Sequence, residues 1–367
     1  MRVLVTGSQG FIGKNLVVHL NERPDVEVLS YVRGDSLDAL RDLVCQADVI
    51  VHLAGENRPQ DEVDFIRGNA DLTADLCRFI RQSGRQVPLV IASSVQAGLD
   101  NPYGRSKRLA EVAAENLADA GYPVTIYRLP GVFGKWCRPN YNSVVATFCH
   151  NIAHDLPIRI NDPAATVTLV YVDDVVEAFL AALDDTTAGL RKPRVIPEYS
   201  ISLEALATQI HAFRNCRDSL VVERVGSGLV RALYATYVSY LPPDRFVYDV
   251  PQYEDRRGIF VEMLKTSDSG QISFFTSLPG ATRGNHYHHS KSEKFLIIKG
   301  RAKFSFRHIL TGECHDIETS GSRPQIVETI PGWTHNITNI GDEEMVALLW
   351  ANENFDRSRP DTIPSKV

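Results

Sequence analysis

The sequence predicts two folds in succession: an α/β unit on a doubly wound parallel sheet, then an all-β barrel or jelly roll. Three observations carry this reading. Up to about residue 180, short apolar runs alternate with helical stretches, as in βαβ units with helices on both faces of a sheet. From about residue 255 the strands come short and close together, with glycine or proline between most of them, as in barrels and jelly rolls. Between the two, Leu241-Pro242-Pro243-Asp244 ends a helix expected over residues 229–240 and stiffens the exit. The expected domains are residues 1–243 and 244–367.

In the α/β part, residues 2–5, 26–32, 48–53 and 88–92 read as strands. Val49-Ile50-Val51 and Leu89-Val90-Ile91 are continuously apolar, which suits parallel strands buried on both faces. Residues 11–20, 71–82 and 105–120 carry helix formers at helical spacing. In the second part, residues 271–277, 294–298, 302–307 and 345–350 read as strands. Pro279-Gly280, Gly300, Gly312, Pro331-Gly332 and Gly341 punctuate them.

Composition narrows the function classes. The chain has 367 residues, 44% hydrophobic and 23% charged, which is globular and excludes wholesale disorder. Its net charge of −6 argues against nucleic acid as a partner, because phosphate binding needs excess Lys and Arg. No two of the six cysteines form a CxxC pair, so neither a zinc knuckle nor a redox dithiol is expected. Met1-Arg2 leads at once into Val3-Leu4-Val5-Thr6-Gly7 without a signal-like apolar run. No window approaches the roughly 18 apolar residues of a membrane span. A cytoplasmic chain with reduced thiols is the expectation.

Thr6-Gly7-Ser8-Gln9-Gly10-Phe11-Ile12-Gly13 stands between the first strand and first helix. Glycines there permit a tight turn, close approach of a pyrophosphate and helix packing on the strand, and the helix N-terminus offers free N–H groups. The end of the second strand reads Tyr31-Val32-Arg33-Gly34, with no carboxylate before Asp35. An acidic residue there would favour NAD; Arg33 favours the 2′-phosphate of NADPH, with Lys14 near the same phosphates. A solvated surface Arg33 is the alternative. Asn101 and Pro102 can start a helix that places Tyr103 and Lys107 four apart on one face. A nearby ammonium is expected to lower the phenol's pKa and fit it for proton transfer. Ser93-Ser94 closes the preceding strand at the carboxyl edge, where ligands bind in such sheets.

Over roughly residues 1–240 these motifs resemble the extended short-chain dehydrogenase/reductase family, which has a Rossmann fold and acts mainly on nucleotide sugars. The family's TGxxGxxG is Thr6 to Gly13, its HLAA is His52-Leu53-Ala54-Gly55, and its YxxxK is Tyr103 and Lys107. Its catalytic serine falls at Ser94, with Ser93 as the alternative. Tyr127 to Gly134 and Tyr171 to Val175 resemble two further family segments. The resemblance implies cofactor contacts at Gly7, Gln9, Gly10, Phe11, Ile12, Gly13, Arg33, Leu53, Ala54, Tyr103 and Lys107, and a substrate contact at Arg128.

The second half carries a histidine pattern. His286 and His288 are two apart, so on a strand they share a face; Glu293 follows, and Gly332-Trp333-Thr334-His335 adds a third imidazole, with Asn339 after it. Three imidazoles and a carboxylate suit zinc, iron, manganese or nickel, with zinc the favoured ion. Histidines satisfied by hydrogen bonds in a barrel are the alternative. From Gly280 to Gly300 the pattern GxxxxxHxHxxxxExxxxxxG resembles the cupin family, which covers about residues 250–367. Asp255-Arg256-Arg257-Gly258-Ile259-Phe260 and Arg283-Gly284-Asn285-His286-Tyr287-His288 resemble segments of cupin-fold sugar-nucleotide 3,5-epimerases. That resemblance makes Arg257 and Arg283 substrate contacts and His286 a base, a metal ligand, or both.

Domain order and chain length together resemble the bifunctional enzymes of bacterial capsule and O-antigen synthesis on the route to UDP-N-acetyl-L-fucosamine. This implies a UDP-linked 4-keto-6-deoxy-N-acetyl sugar as substrate. The cupin would epimerise carbon 3 and the reductase would use NADPH to reach UDP-2-acetamido-2,6-dideoxy-L-talose. It also implies a homodimer. The alternatives are a 4-keto reductase whose metal-binding cupin serves assembly, and an NADP-binding sensor without chemistry, against which the Tyr103–Lys107 pair argues.

Overall fold

The computed structural model describes residues 1–358 and 360–367. They form two compact units: Met1–Ile210 with Arg231–Leu241, and His211–Val230 with Pro242–Val367.

In the first unit six strands form one sheet in the order Glu27–Tyr31, Arg2–Thr6, Val49–His52, Leu89–Ser94, Pro123–Leu129, Gly189–Arg191. Every pairing is parallel. Strand order reverses at Arg2–Thr6, so a crevice opens at the carboxyl ends beside it. Side chains alternate across this sheet. Leu4, Ile50 and Ile91 face a core completed by Leu40, Val44, Leu76, Ile80 and Leu117. Val3, Val5, Val49 and Val51 face an opposite core with Leu16, Leu20, Val175 and Phe179. The continuous apolar runs are thus those of a doubly wound Rossmann sheet buried on both sides.

Helix starts follow local chemistry. Asn101 Oδ1 accepts from Gly104 N at 2.7 Å, with Pro102 as the first residue of the helix Pro102–Asp119. Ser36 accepts from Ala39 N at 3.2 Å to start Leu37–Gln46, a further helix of this unit. The helix Leu72–Gln82 is preceded by a π-helical turn, Ile66–Asp71, another feature without a plain sequence signal.

The second unit is a two-sheet β structure of the cupin type. One sheet runs Val221–Val222, Gly258–Thr266, Gln271–Ser277, Met345–Ala351, Glu293–Lys299, Ile326–Thr329, with Gln252–Asp255 beside Gly258–Thr266. The other runs Cys314–Ser320, Arg301–His308, Trp333–Asn339, Thr282–Tyr287, Ile363–Pro364. Phe275, Phe295, Ile297, Val327 and Ala347 from the first pack with Ala302, Phe304, Phe306 and Ile337 from the second. All four strands expected in this half are present, joined by Gly258–Thr266, Thr282–Tyr287 and Trp333–Asn339, among others.

None of the described helices is long and apolar enough to cross a membrane. All six cysteines are free thiols.

Candidate active sites

In the first unit the glycine turn lies at the carboxyl end of the first strand. Gly7 has φ +70°, and a Cβ there would come 2.7 Å from Ala54 N, so only glycine fits. Its N–H donates to Tyr31 O at 2.8 Å, and Gly10 N donates to Gly7 O at 2.9 Å. Beneath the turn Thr6 Oγ1 meets the buried His52 Nδ1 at 2.7 Å and accepts from Leu53 N and Ala54 N at 3.2 Å. Burial holds His52 at a pKa of about 3, so it is neutral.

A cleft of about 1050 Å³ opens over this turn. Gln9, Gly10, Phe11, Ile12, Arg33, Leu53, Ser94, Tyr103 and Lys107 line it. Gly7, Gly13 and Ala54 are not among its lining residues; Gly7 and Gly13 pack behind the turn, where a Cβ on Gly13 would run into the Gly7 carbonyl. Arg33 is 83% exposed and its guanidinium pairs with the Glu56 carboxylate.

The two serines separate. Ser93 Oγ donates to the buried Glu111 Oε1 at 2.6 Å, whereas Ser94 lines the cleft with Tyr103. The expected lowering of the Tyr103 pKa by Lys107 is not found. Burial pushes the phenol up, and Ser94 alone pulls it down. Lys107 Nζ stands 5.9 Å from the ring centroid; burial lowers its own pKa to about 8, opposed by Glu111.

Arg128 is not among the residues lining the cleft; its Nε and Nη2 hold Glu111 at 2.8 and 2.6 Å. The cations that do line the cleft, besides Lys14, Arg33 and Lys107, are Arg58, Arg138 and Arg159. Arg58 and Arg138 lie 5.9 and 5.2 Å from the Tyr141 ring centroid. No motif marks these residues; they sit in loops far apart in sequence.

In the second unit His286, His288, Glu293 and His335 bring one ligand atom each to within 4.8 Å of one another. His288 Nε2 and His335 Nε2 stand 3.3 and 3.5 Å from Glu293 Oε2. A β-bulge between Gly284 and His286 sets the aim of His286. Gly284 has φ +97°, and a Cβ there would come 2.9 Å from Asn336 Cα. His288 follows directly after the strand Thr282–Tyr287. Its Nδ1 bonds the backbone carbonyl of Asp361; a carbonyl only accepts, so Nδ1 carries the proton and Nε2 keeps its lone pair. Burial, then the charges of His335 and His288, lowers the His286 pKa to about 4. Burial pushes Glu293 up, but His288, His335 and Lys291 outweigh it and hold the carboxyl well below its usual range. Three imidazoles around a carboxylate fit a divalent metal.

An apolar cavity of about 140 Å³ adjoins the cluster, lined by His286, Glu293, Arg283 and by Phe260, Phe275, Phe295, Phe304 and Leu349 among others. Arg283 donates to Thr276 O at 3.1 Å and stacks 5.2 Å from the Phe275 centroid. Its Nε is buried without a partner among the described residues. Arg257, expected alongside it, is absent from the lining; its Nε holds Asp255 at 3.0 and 3.2 Å. Asn339 braces the turn through Ser277 O at 2.7 Å, Glu343 O at 2.8 Å and Gly341 N at 2.9 Å.

Residues 3–196 match the family described as NAD dependent epimerase/dehydratase. The chain belongs to the NAD dependent epimerase/dehydratase family. Residues 253–363 of this family member match a second description, Polysaccharide biosynthesis C-terminal domain. The chain is 56% identical over its whole length to the UDP-2-acetamido-2,6-beta-L-arabino-hexul-4-ose reductase of Pseudomonas aeruginosa, 99% of which is covered. It is similar to the crystal structure of the capsular polysaccharide assembling protein CapF from Staphylococcus aureus, with 39% identity, full coverage of both chains and a TM-score of 0.92. The UDP-glucuronic acid 4-epimerase of Bacillus cereus, solved with UDP-glucuronic acid and NAD, shares the fold over 65% of this chain at 16% identity and a TM-score of 0.56. This epimerase/dehydratase family member is therefore a Rossmann-type enzyme fused to a cupin.

Proposed function

We propose that this chain epimerises carbon 3 of a UDP-2-acetamido-2,6-dideoxy-4-keto-hexose and then reduces its 4-keto group, yielding UDP-2-acetamido-2,6-dideoxy-L-talose. The observation that carries this reading is the presence of two complete constellations, Ser94–Tyr103–Lys107 over a basic cleft and His286–His288–Glu293–His335 beside an apolar cavity. The P. aeruginosa relative's name supports the 4-keto sugar as substrate.

NADPH, when bound over the glycine turn, supplies the hydride; a divalent metal, zinc by preference, supplies positive charge at the histidine cluster. Tyr103 gives its proton to the carbon-4 oxygen, and Ser94, which lines the cleft with it, holds the same oxygen. Lys107 lends positive charge beside the ring, and Arg33 pairs with the 2′-phosphate. Lys14, Arg58, Arg138 and Arg159 offer the cleft's charge to the diphosphate. In the cupin, His286 takes the carbon-3 proton, and a proton from water returns to carbon 3 from the opposite face; alternatively His286 keeps its lone pair for the metal. Arg283 presents its free Nε to the enediolate oxygen. Functionally the chain divides at 243/244, works in the cytoplasm and pairs as a homodimer.

A second reading is favoured by the relative's name, which specifies a reductase alone: the cupin binds metal and serves assembly without epimerising. The test offers UDP-4-keto sugars and NADPH in deuterated water and reads product stereochemistry by NMR. Inverted product carrying deuterium at carbon 3 is expected. Reduced product without inversion or deuterium overturns the epimerase and leaves the reductase; no NADPH consumption overturns the reductase.

A further inference from the structure

The segment 361–366 touches each of the strands or loops that carry the three imidazoles. Ile363–Pro364 adds as an edge strand to Thr282–Tyr287, with Pro364 opposite His286 and Ile363 opposite Tyr287. Ser365 N donates to Asn285 O at 2.9 Å, next to His286 in sequence. Thr334 Oγ1, next to His335, donates to Ser365 O at 2.7 Å. The remaining imidazole, His288, bonds the carbonyl of Asp361.

Asp361 does more with its side chain. Its carboxylate accepts from the backbone N–H of His289 at 2.8 Å, Ser290 at 2.8 Å and Lys291 at 2.9 Å, and from Ser290 Oγ at 3.1 Å. That grip fixes the loop after His288 and sets Lys291, whose buried Nζ stands 3.1 Å from Glu293 Oε1. One residue thus orients a histidine through its carbonyl and, through its carboxylate, the ammonium that occupies the second oxygen of Glu293.

We infer that Asp361 is a positioning residue of the metal centre and that the segment it anchors is a built part of that centre. This rests on the metal reading above. Outer partners that fix a ligand's tautomer and direction tune metal affinity by about 10–100-fold. Because the same contacts dock the segment and aim the ligands, metal binding and docking strengthen each other reciprocally.

The test measures zinc affinity by chelator competition, the visible absorption spectrum of the cobalt(II)-substituted protein, and hydrogen exchange at His289, Ser290 and Lys291. It compares the full chain, Asp361→Asn, Asp361→Ala and a chain lacking residues 361–367. In the full chain, zinc should slow exchange at the three amides. Asp361→Ala and the truncation should bind zinc about 10-fold or more weakly and show an altered cobalt spectrum. Asp361→Asn, which keeps the main-chain carbonyl and one acceptor, should fall between. Unchanged NADPH binding reports that the first unit is folded in every variant. Stoichiometric metal in the full chain with equal affinity and spectrum in all variants overturns this inference alone. No metal binding in the full chain overturns the metal reading and this inference with it.

Discussion

Arg128 grips Glu111 through a fork of two hydrogen bonds, Nε to Oε1 at 2.8 Å and Nη2 to Oε2 at 2.6 Å. The Glu111 side chain is 0% exposed, and Ser93 and Arg108 also bond it. A fully buried carboxylate with four donors from three residues is a brace between the strand Leu89–Ser94, the strand Pro123–Leu129 and the helix Pro102–Asp119 that carries Tyr103 and Lys107.

Removing Arg128 should therefore cost stability rather than substrate recognition. Arg128 is 41% exposed, which reduces the full cost of orphaning a buried charge to about 2–3 kcal/mol for Arg128→Ala. Urea midpoints would read this loss, while KM for the UDP-sugar stays near the wild-type value. A large rise in KM at unchanged stability would return Arg128 to the substrate.

The same brace predicts a pH dependence. Burial raises the Glu111 pKa, but Arg128, Ser93 and Arg108 outweigh it and the folded value lies below the ordinary one. Its stabilisation is fully present above the unfolded carboxyl pKa of about 4.3 and is lost as pH falls through the depressed folded value. Arg128→Ala should flatten the stability–pH curve in that acid window. Parallel curves for wild type and variant would show that Glu111 does not titrate as described.

Ser94→Ala and Ser93→Ala should differ in kind. Ser94 lines the cleft with Tyr103 and draws its pKa down, so its loss should slow reduction on the order of 10-fold or more, and Tyr103→Phe on the order of 10²-fold or more, each with little change in NADPH affinity. Ser93 bonds Glu111, so Ser93→Ala should lower the melting temperature first. Single-turnover rates and thermal melts separate the outcomes; a Tyr103→Phe enzyme with a near-normal rate would remove the phenol from the chemistry.

Arg33→Ala should narrow the preference for NADPH over NADH by about 1.5–3 kcal/mol, the scale of a charge-assisted hydrogen bond. The Glu56 carboxylate, which holds Arg33 in this structure, has to share or release it. Equal affinity of the wild type for both cofactors would dispose of the proposal.

The two chemistries should come apart by mutation. His286→Ala should abolish deuterium uptake at carbon 3 while NADPH binding survives, and a pre-epimerised sugar should restore reduction. Lys107→Ala should stop hydride transfer and leave exchange intact. Loss of both activities in either variant would show coupling that neither constellation contains.

What lies within a few residues is legible without the fold. The glycine turn, the Asn101-capped helix with Tyr103 and Lys107, and the strands 49–52 and 89–94 were legible because turn geometry, capping and apolar runs are set locally. The histidine–glutamate cluster was legible because its spacing places His286 and His288 on one side, although the bulge that aims His286 has no local signal. Tertiary structure alone decided which polar groups meet across long separations. Arg128 found Glu111 instead of the cleft, and Arg257 found Asp255 instead of the cavity. Arg58, Arg138 and Arg159 entered the cleft unannounced. Asp361 closed on the loop 289–291 from some 70 residues away. The physical reason is that a charged side chain takes whichever partner the closed chain offers it in a desolvated place. That choice depends on sheet order and strand register, which local spacing does not encode.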